Sequence, residues 1–374
     1  MAARPAALDA ARATAPADLR SVIREVGVLP DADVNTALAQ LGGSTSAIAL
    51  RTGALNAQGV LRSVNDRIID LRTGVRSDLV GSAPATRPRR TGVWFRATLS
   101  GLSGDTINSD ALSHGGLVGI DREFAEGRWL VGAFGGYDRA ALTLDASANT
   151  VRDRRYRAGA YAATTFGTAY INAALAGADH RFETTRHLAF VAQLDPQLGG
   201  GPMFAGIDRS TAARYAGHDV TTFVESGLSR TLGTALVQPF AGLDASHVST
   251  DGFSEHGAGS VNLVASDAST TSVRAAVGIR ATRSFAASSG IFAPRVEVRY
   301  LHELRDRAAS VPVAFADAPT NGFSVTSPTY GSHAVATSAG FMVGQSRQLL
   351  LTLDYRGVFA PNDHTHAVTL GVGF

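Results

Sequence analysis

The chain has 374 residues, enough for one large domain or two ordinary ones. It has no cysteine, which excludes disulfides and thiolate metal sites, and a formal net charge of +2, which points to no strongly charged partner. Lysine is absent as well, so a Gly-x-x-x-x-Gly-Lys-Ser/Thr phosphate loop is impossible, and no patch of clustered Arg with interleaved aromatics marks a nucleic-acid partner.

Residues 1–18 alternate Ala with Arg, Asp and Pro and lack the apolar core of a secretion signal. Residues 1–73 read as helical. An Ala-rich stretch covers about 6–24, and Pro30, Asp31 and Asp33 mark a break and a new helix start. Over 54–72 the apolar residues Leu61, Val64, Ile68 and Leu71 recur every three or four positions, with Arg62, Asn65, Asp66 and Arg72 largely on the other side. Such a helix is roughly 30 Å long, about one bilayer core, although periodicity alone leaves a bundled helix open. Residues 74–91, with Gly74, Gly81, Pro84 and Pro88, read as a linker that carries Arg89 and Arg90.

From Gly92 onward the period is two. Val93, Phe95, Ala97 and Leu99 alternate with Trp94, Arg96, Thr98 and Ser100; Leu349, Leu351, Leu353 and Tyr355 alternate with Leu350, Thr352, Asp354 and Arg356. Twelve such segments begin near Gly92, Leu112, Arg128, Arg154, Thr168, Ala213, Thr234, Ser269, Gly290, Gly331, Arg347 and His364. Ten residues tilted near 45° span roughly 24 Å, the height of an outer-membrane apolar band. No run of about 18 apolar residues offers a transmembrane helix.

The connections alternate in length. Long ones fall near 101–111, 145–153, 185–212, 249–268, 305–330 and 360–363, and tight ones near 125–127, 167, 232–233, 284–289 and 344–346. Membrane barrels pair short periplasmic turns with longer outer loops, whereas a soluble sandwich has no reason to alternate so regularly. The expected fold is therefore an all-β membrane barrel, a 12-stranded antiparallel outer-membrane β-barrel preceded by an α-helical segment. The polar faces carry Arg96, Glu225, Arg274, Arg280, Arg295, Glu297, Arg299, Asp354 and Arg356, which would line a wet lumen. Gly132, Ala133, Gly135, Gly136, Gly371 and Gly373 would leave room inside it, and Trp94, Trp129, Tyr137, Tyr300 and Tyr355 would form thin interfacial girdles. At the C-terminus Val368, Leu370, Val372 and Phe374 form the apolar face of a final strand ending in an aromatic, which resembles the assembly signal of outer-membrane barrels.

These features together resemble the autotransporter (type V secretion) C-terminal β-barrel translocator domain. The resemblance covers about 33–374. It rests on the helical lead-in ending Asn65-Asp66-Arg67-Ile68-Ile69-Asp70-Leu71-Arg72, on Trp94-Phe95-Arg96, Gly119-Ile120-Asp121 and Val131-Gly132-Ala133-Phe134-Gly135-Gly136-Tyr137. It continues with Phe223-Val224-Glu225-Ser226-Gly227, Gln238-Pro239-Phe240-Ala241-Gly242-Leu243, Phe253-Ser254-Glu255-His256-Gly257-Ala258, Tyr300-Leu301-His302-Glu303 and the terminal Phe374. Each motif is weak alone; their order and spacing are more specific. The resemblance implies that 54–73 threads the lumen, that lumen charges pair with Arg62, Asp66 or Arg72, and that barrel 92–374 carries an N-terminal segment to the cell surface. It also implies outer-membrane lipid and the barrel-assembly machinery as partners, and a monomer. Residues 1–53 are too short and too helical for a β-solenoid passenger, so they read as a remnant or upstream segment. Three origins stay open: a fragment, a misplaced start, or a translocator that has lost its passenger. Asn65-Asp66 is not the Asn-Asn pair that some relatives cleave, so self-cleavage is not expected. The alternative function is an outer-membrane channel, or a surface interaction protein binding through its outer loops.

No catalytic site, metal or cofactor is expected. Asp363, His364 and His366 read as a solvated outer rim, and the adjacent Asp179 and His180 point to opposite faces of a strand. No Gly-x-Ser-x-Gly elbow occurs, and Gly199, Gly200 and Gly201 read as loop flexibility. Glu225 and Glu297 fall on different strands; as a paired acid and base they would suit a glycosidase, but they read better as lumen charges neutralised by Arg.

Overall fold

A strand with one face to lipid and one to a polar lumen alternates at every residue, and that alternation builds the molecule. The structure, a computed structural model, describes residues 15–74, 91–104, 109–125, 127–144, 149–191, 206–287, 290–329, 331–345 and 349–374. Twelve long strands follow one another: β1 (Thr91–Gly104), β2 (Ser109–Phe124), β3 (Trp129–Leu144), β4 (Asn149–Phe166), β5 (Ala169–Phe190), β6 (Ile207–Leu228), β7 (Ala235–Thr250), β8 (Ala268–Arg283), β9 (Gly290–Glu303), β10 (His333–Gln345), β11 (Leu349–Phe359) and β12 (Asp363–Gly373). Each pairs antiparallel with its sequence neighbour. The barrel closes where β1 meets β12, with Trp94 opposite Gly373 and Gly104 opposite Asp363. Closure leaves no sheet edge in the hydrocarbon, where an unpaired backbone group costs several kcal/mol.

The tight turns and both barrel ends, Thr91 and Phe374, lie at one end, the periplasmic end by the loop-length rule. Gly167 and Gly233 take φ of 61° and 59° at the first position of two-residue turns, where a side chain would be strained. The outward phase is apolar: Phe95, Leu99, Val118, Ile120, Val298 and Leu370 are all exposed, as lipid-facing residues must be.

Among the described residues three helices precede the barrel: α1 (Ala17–Val26), α2 (Asp31–Gly42) and α3 (Thr45–Gly74). The helix expected over 54–72 thus starts at Thr45. Its 30 residues make a rod of about 45 Å, longer than the apolar band is high. The N-terminal part of α3 packs Ala47 and Leu50 against Val248, Ala265, Val311 and Val325 at the long-loop end. Its C-terminal part packs Leu61, Val64 and Ile68 against Trp94, Leu117, Leu130, Phe134 and Phe223 toward the periplasmic end. The helix therefore passes through the barrel.

The outer end is capped. Strands Phe253–Ser254, Leu263–Ala265, Ser310–Phe315 and Phe323–Thr326, from two long connections, form a second small sheet. Helices α1 and α2 pack on it and on the tips of β5 and β6, burying Leu19, Val22, Ile23 and Leu41 with Leu188, Ile207, Val261 and Phe315. Arg186 pins this cap. It donates to the Gln40 carbonyl ending α2 at 2.8 Å, to Glu255 at 3.0 Å and to the Val261 carbonyl at 2.8 Å.

Some sequence expectations change. The connection expected over 185–212 is partly strand: β5 and β6 stay paired from Ala169 opposite Leu228 to Phe190 opposite Ile207, above the apolar band. Trp94 is not in a girdle; it is 1% exposed and faces the lumen, because it shares the phase of Arg96. Ala133 faces outward and Gly135 shares its phase; Gly132, Gly136, Gly371 and Gly373 lie on the inward phase. Gly199, Gly200 and Gly201, and the linker positions from Val75 to Arg90, lie outside the described residues.

Candidate functional site

The site is the interface between α3 and the lumen wall. Inward phase forces polar residues of the strands to face the helix, and out of bulk water each charge needs a partner. Six charges form one group. Asp66 and Asp70 of the helix and Asp354 of β11 meet Arg96 of β1, Arg295 of β9 and Arg356 of β11: three carboxylates and three guanidiniums. Asp70 sits between Arg96 and Arg295, Arg295 also donates to Asp354 at 2.9 Å, and Arg356 donates to Asp66 at 2.8 Å. Beside it, with β9 in common, Arg62, Arg280 and Arg299 meet Glu225, Asp244 and Glu297, again three and three. Arg62 forks between Asp244 on β7, at 3.2 Å from its Nε, and Glu225 on β6, at 3.1 Å. Each group is neutral only with the helix in place.

Further ties lie along the helix. Arg51 donates to Glu303 at 3.1 Å, where Ser272 and Arg274 also converge. Gln58 donates to Ser246 and Ser272. Asn65 donates to Glu225 at 3.1 Å and accepts from Asn172 at 2.9 Å. Arg67 donates to Asp121 at 3.0 Å, and Asp121 also accepts from Tyr161, whose hydroxyl takes the Trp94 indole N–H at 2.8 Å. Arg72 donates to Asn172 at 3.1 Å, an amide where a charge was expected.

Gly373 and Gly92 make room for this arrangement. A Cβ at Gly373 would stand 2.4 Å from Nη1 of Arg67, and one at Gly92 would stand 2.7 Å from the Asp121 carboxylate. Near the outer end, beside Gly53 of the helix, Asp153 and Asp219 each lie 2.9 Å from one ring nitrogen of His180, and Arg157 forks onto Asp219 with two bonds of 2.8 Å.

The structure thus places Arg96, Glu225, Arg274, Arg280, Arg295, Glu297 and Arg299 on the inward phase. It gathers all but Arg274 into the two six-charge groups; Arg274 joins Glu303 higher in the lumen. Leu61, Val64 and Ile68 are buried against the wall, with Leu71 packed beside them. Val368, Leu370 and Phe374 face outward, Val372 shares their phase, and Phe374 closes the seam by exchanging both backbone hydrogen bonds with Val93. His364 and His366 share the outward phase at the outer rim. Sequence reasoning gave no lumen role to Arg51, Arg67, Asp70, Asp121, Asp244 and Glu303, although Arg67, Asp70, Asp121 and Glu303 stand in the motifs that carry the resemblance. The barrel residues among them occupy the polar phase of their strands, a signal that was present, but which strands face each other across the lumen depends on closure.

The family model "Autotransporter beta-domain" matches residues 93–356. Among curated proteins, the chain is 25% identical over 261 residues to an extracellular serine protease of Serratia marcescens, covering 70% of this chain and 23% of that protein. It is 26% identical over 282 residues to the esterase EstA of Pseudomonas aeruginosa, covering 74% of this chain and 40% of that one. The chain therefore spans less than half the length of these curated relatives. Among solved structures, the translocator domain of the autotransporter NalP from Neisseria meningitidis superposes with a TM-score of 0.59 at 14% identity, covering 85% of this chain and 99% of that one. The β-domain of the Bordetella autotransporter BrkA gives 0.54 at 16%, covering 76% and 99%. The chain belongs to the autotransporter β-domain family, and its barrel is a protein of the bacterial outer membrane.

Proposed function

We propose that this barrel is a translocator that exports or displays the segment upstream of it, with α3 held in the pore as the tether and α1–α2 carried at the cell surface. The carrying observation is that one continuous helix runs from the capped outer end through the closed barrel to the end where β1 begins. In this reading residues 1–53 are the displayed segment, 54–73 the pore-threading part, 74–91 the return linker and 92–374 the barrel. Val368, Leu370, Val372 and Phe374 would be read by the barrel-assembly machinery, and the barrel would work as a monomer. We infer no catalysis by the barrel. Ser210, His187 and Asp208 come together on the outward face of the strand tips, but the carboxylate is 86% exposed and 3.6 Å from the ring, where water screens it.

The test is an epitope fused before residue 1, in cells that supply a secretion signal. Antibody should label intact cells, while an epitope in 75–90 should be reached only after permeabilisation. Labelling in the reverse order would overturn the reading. An open channel is the alternative, and it would show steady conductance in planar bilayers, which a helix held by two neutral charge groups should block.

A further inference from the structure

The outward face of β2–β6 departs from the apolar pattern at one height. His114, Arg139, Arg154 and Arg181 stand directly opposite one another across β2, β3, β4 and β5, each the cross-strand partner of the next. All four are exposed on the outward phase. At about 4.8 Å between strands they make a row about 14 Å long. One step toward the outer end, Arg152, Glu183 and Arg214 are in register across β4, β5 and β6. Glu183 lies 3.7 Å from Arg154 and 3.5 Å from Arg214. One step the other way, Tyr137 and Tyr156 are paired with ring centroids 4.9 Å apart, and Asp179 stands opposite His218. At these three levels five arginines thus share the outward face with two carboxylates. Like charges directly opposite on a sheet are unfavourable, so the row calls for an anion from outside the chain.

Its height identifies the anion. On β4 the outward residues from Tyr156 to Phe166 include Ala158, Ala160 and Ala162, and both aromatic ends are exposed. Ten residues of tilted strand rise about 23 Å, the apolar band, so the tyrosines mark its outer interface. The arginine row begins just beyond, at the headgroups.

We propose that this face binds a phosphorylated glycolipid headgroup of the outer leaflet, with Arg139, Arg154 and Arg181 on the phosphates and Tyr137 and Tyr156 against the adjoining sugar. Guanidinium forks match phosphate oxygens in pairs, and Arg139 is already fixed by stacking over Tyr137 at 5.4 Å. The row is long enough for two phosphates of one headgroup.

The test is native mass spectrometry of the full chain, refolded in neutral detergent and offered a bisphosphorylated lipid A or the same lipid stripped of its phosphates. The wild type should retain the phosphorylated lipid at least tenfold more than the stripped one, with the preference falling as salt is raised. Equal retention of the two lipids by the wild type overturns the proposal without any variant. R139Q/R154Q/R181Q should lose the preference at least tenfold, and R128Q/R230Q, at the periplasmic rim, should keep it. A triple variant that shows the heat-dependent gel shift of a folded barrel and still prefers the phosphorylated lipid also overturns it.

Discussion

Asp70 is the sharpest place to test whether charge holds the helix in the pore. Its side chain is 2% exposed and is shared by Arg96 and Arg295. Asp70→Asn keeps the volume and removes the charge, leaving Asp66 and Asp354 to neutralise three guanidiniums. Removing one partner of a buried pair costs about 3–5 kcal/mol, because the other charge stays buried. Asp354 still accepts from Arg295 at 2.9 Å, so the lower end, about 3 kcal/mol, applies. At about 1.4 kcal/mol per tenfold, the population with the helix out of its seat should rise by roughly 150-fold. Two assays read this. Urea unfolding in lipid vesicles, followed by gel migration, should show a lower midpoint. Planar-bilayer recordings should show far more frequent openings. A cycle with Arg295→Gln should give a coupling above about 1 kcal/mol, as expected for groups in contact. Wild-type midpoint and opening frequency in Asp70→Asn would refute the electrostatic account and leave the apolar packing of Leu61, Val64 and Ile68 to explain the seat.

Three further outcomes follow from named contacts. Arg186→Ala strands Glu255 beneath the cap and should weaken docking of α1–α2 by about 3–5 kcal/mol, seen as faster protease cleavage within 15–42 on intact cells. Asp18 on α1 is held well below the usual carboxylate range, chiefly by the Arg209 side chain, which donates two bonds of 2.7 Å. A lowered folded value means its contribution is complete above the unfolded value near 3.9 and fades as pH falls further. Cap protection against an acid-active protease should thus hold at pH 5 and decline below about pH 4, by no more than the roughly 0.2–1 kcal/mol of an exposed pair, and Asp18→Asn should abolish that dependence. Gly373→Ala drives a methyl into Arg67 and should destabilise the barrel by about 1–3 kcal/mol in the same urea titration, while Gly59→Ala, with open space around it, should not.

The twelve strands were legible because lipid outside and polar residues inside impose strict alternation, and the onset of β9 at Gly290 and the pairing phase of β1 follow from it directly. The signal weakened where the membrane ends. At the tips of β5 and β6 the outward residues become Glu183, Thr185 and Ser210, so no apolar phase marked these residues as strand, although they stay paired to Phe190. The start of α3 was hidden for the opposite reason: 47–54 is buried nearly all round, which erases helical periodicity. Trp94 follows its strand phase into the lumen rather than the interfacial preference of aromatics. The sequence run Arg152, Arg154, Arg155 and Arg157 shows the limit most clearly. Phase divides it into two outward and two inward arginines, but only the register assembles Arg139, Arg154 and Arg181 into a row.

The lumen charges also set where along the pore the helix stops. Arg62, Asp66 and Asp70 follow one another at four-residue intervals, so the helix presents one positive and two negative charges about 6 Å apart along its axis. The wall is matched to that order: Glu225 and Asp244 face Arg62, Arg356 faces Asp66, and Arg96 and Arg295 face Asp70. Sliding the helix outward by one turn would bring Asp66 to the two carboxylates; sliding it inward would bring Arg62 to Arg356. Either slip buries like charges, whereas an apolar seam would accept both with little penalty. Buried ion pairs are a poor source of net stability but a good source of register. A polar wall also stays hydrated while chain moves past it and becomes electrically neutral only at one position. A stop of that kind is what a pore needs if it is to pass a segment and then hold the end of it.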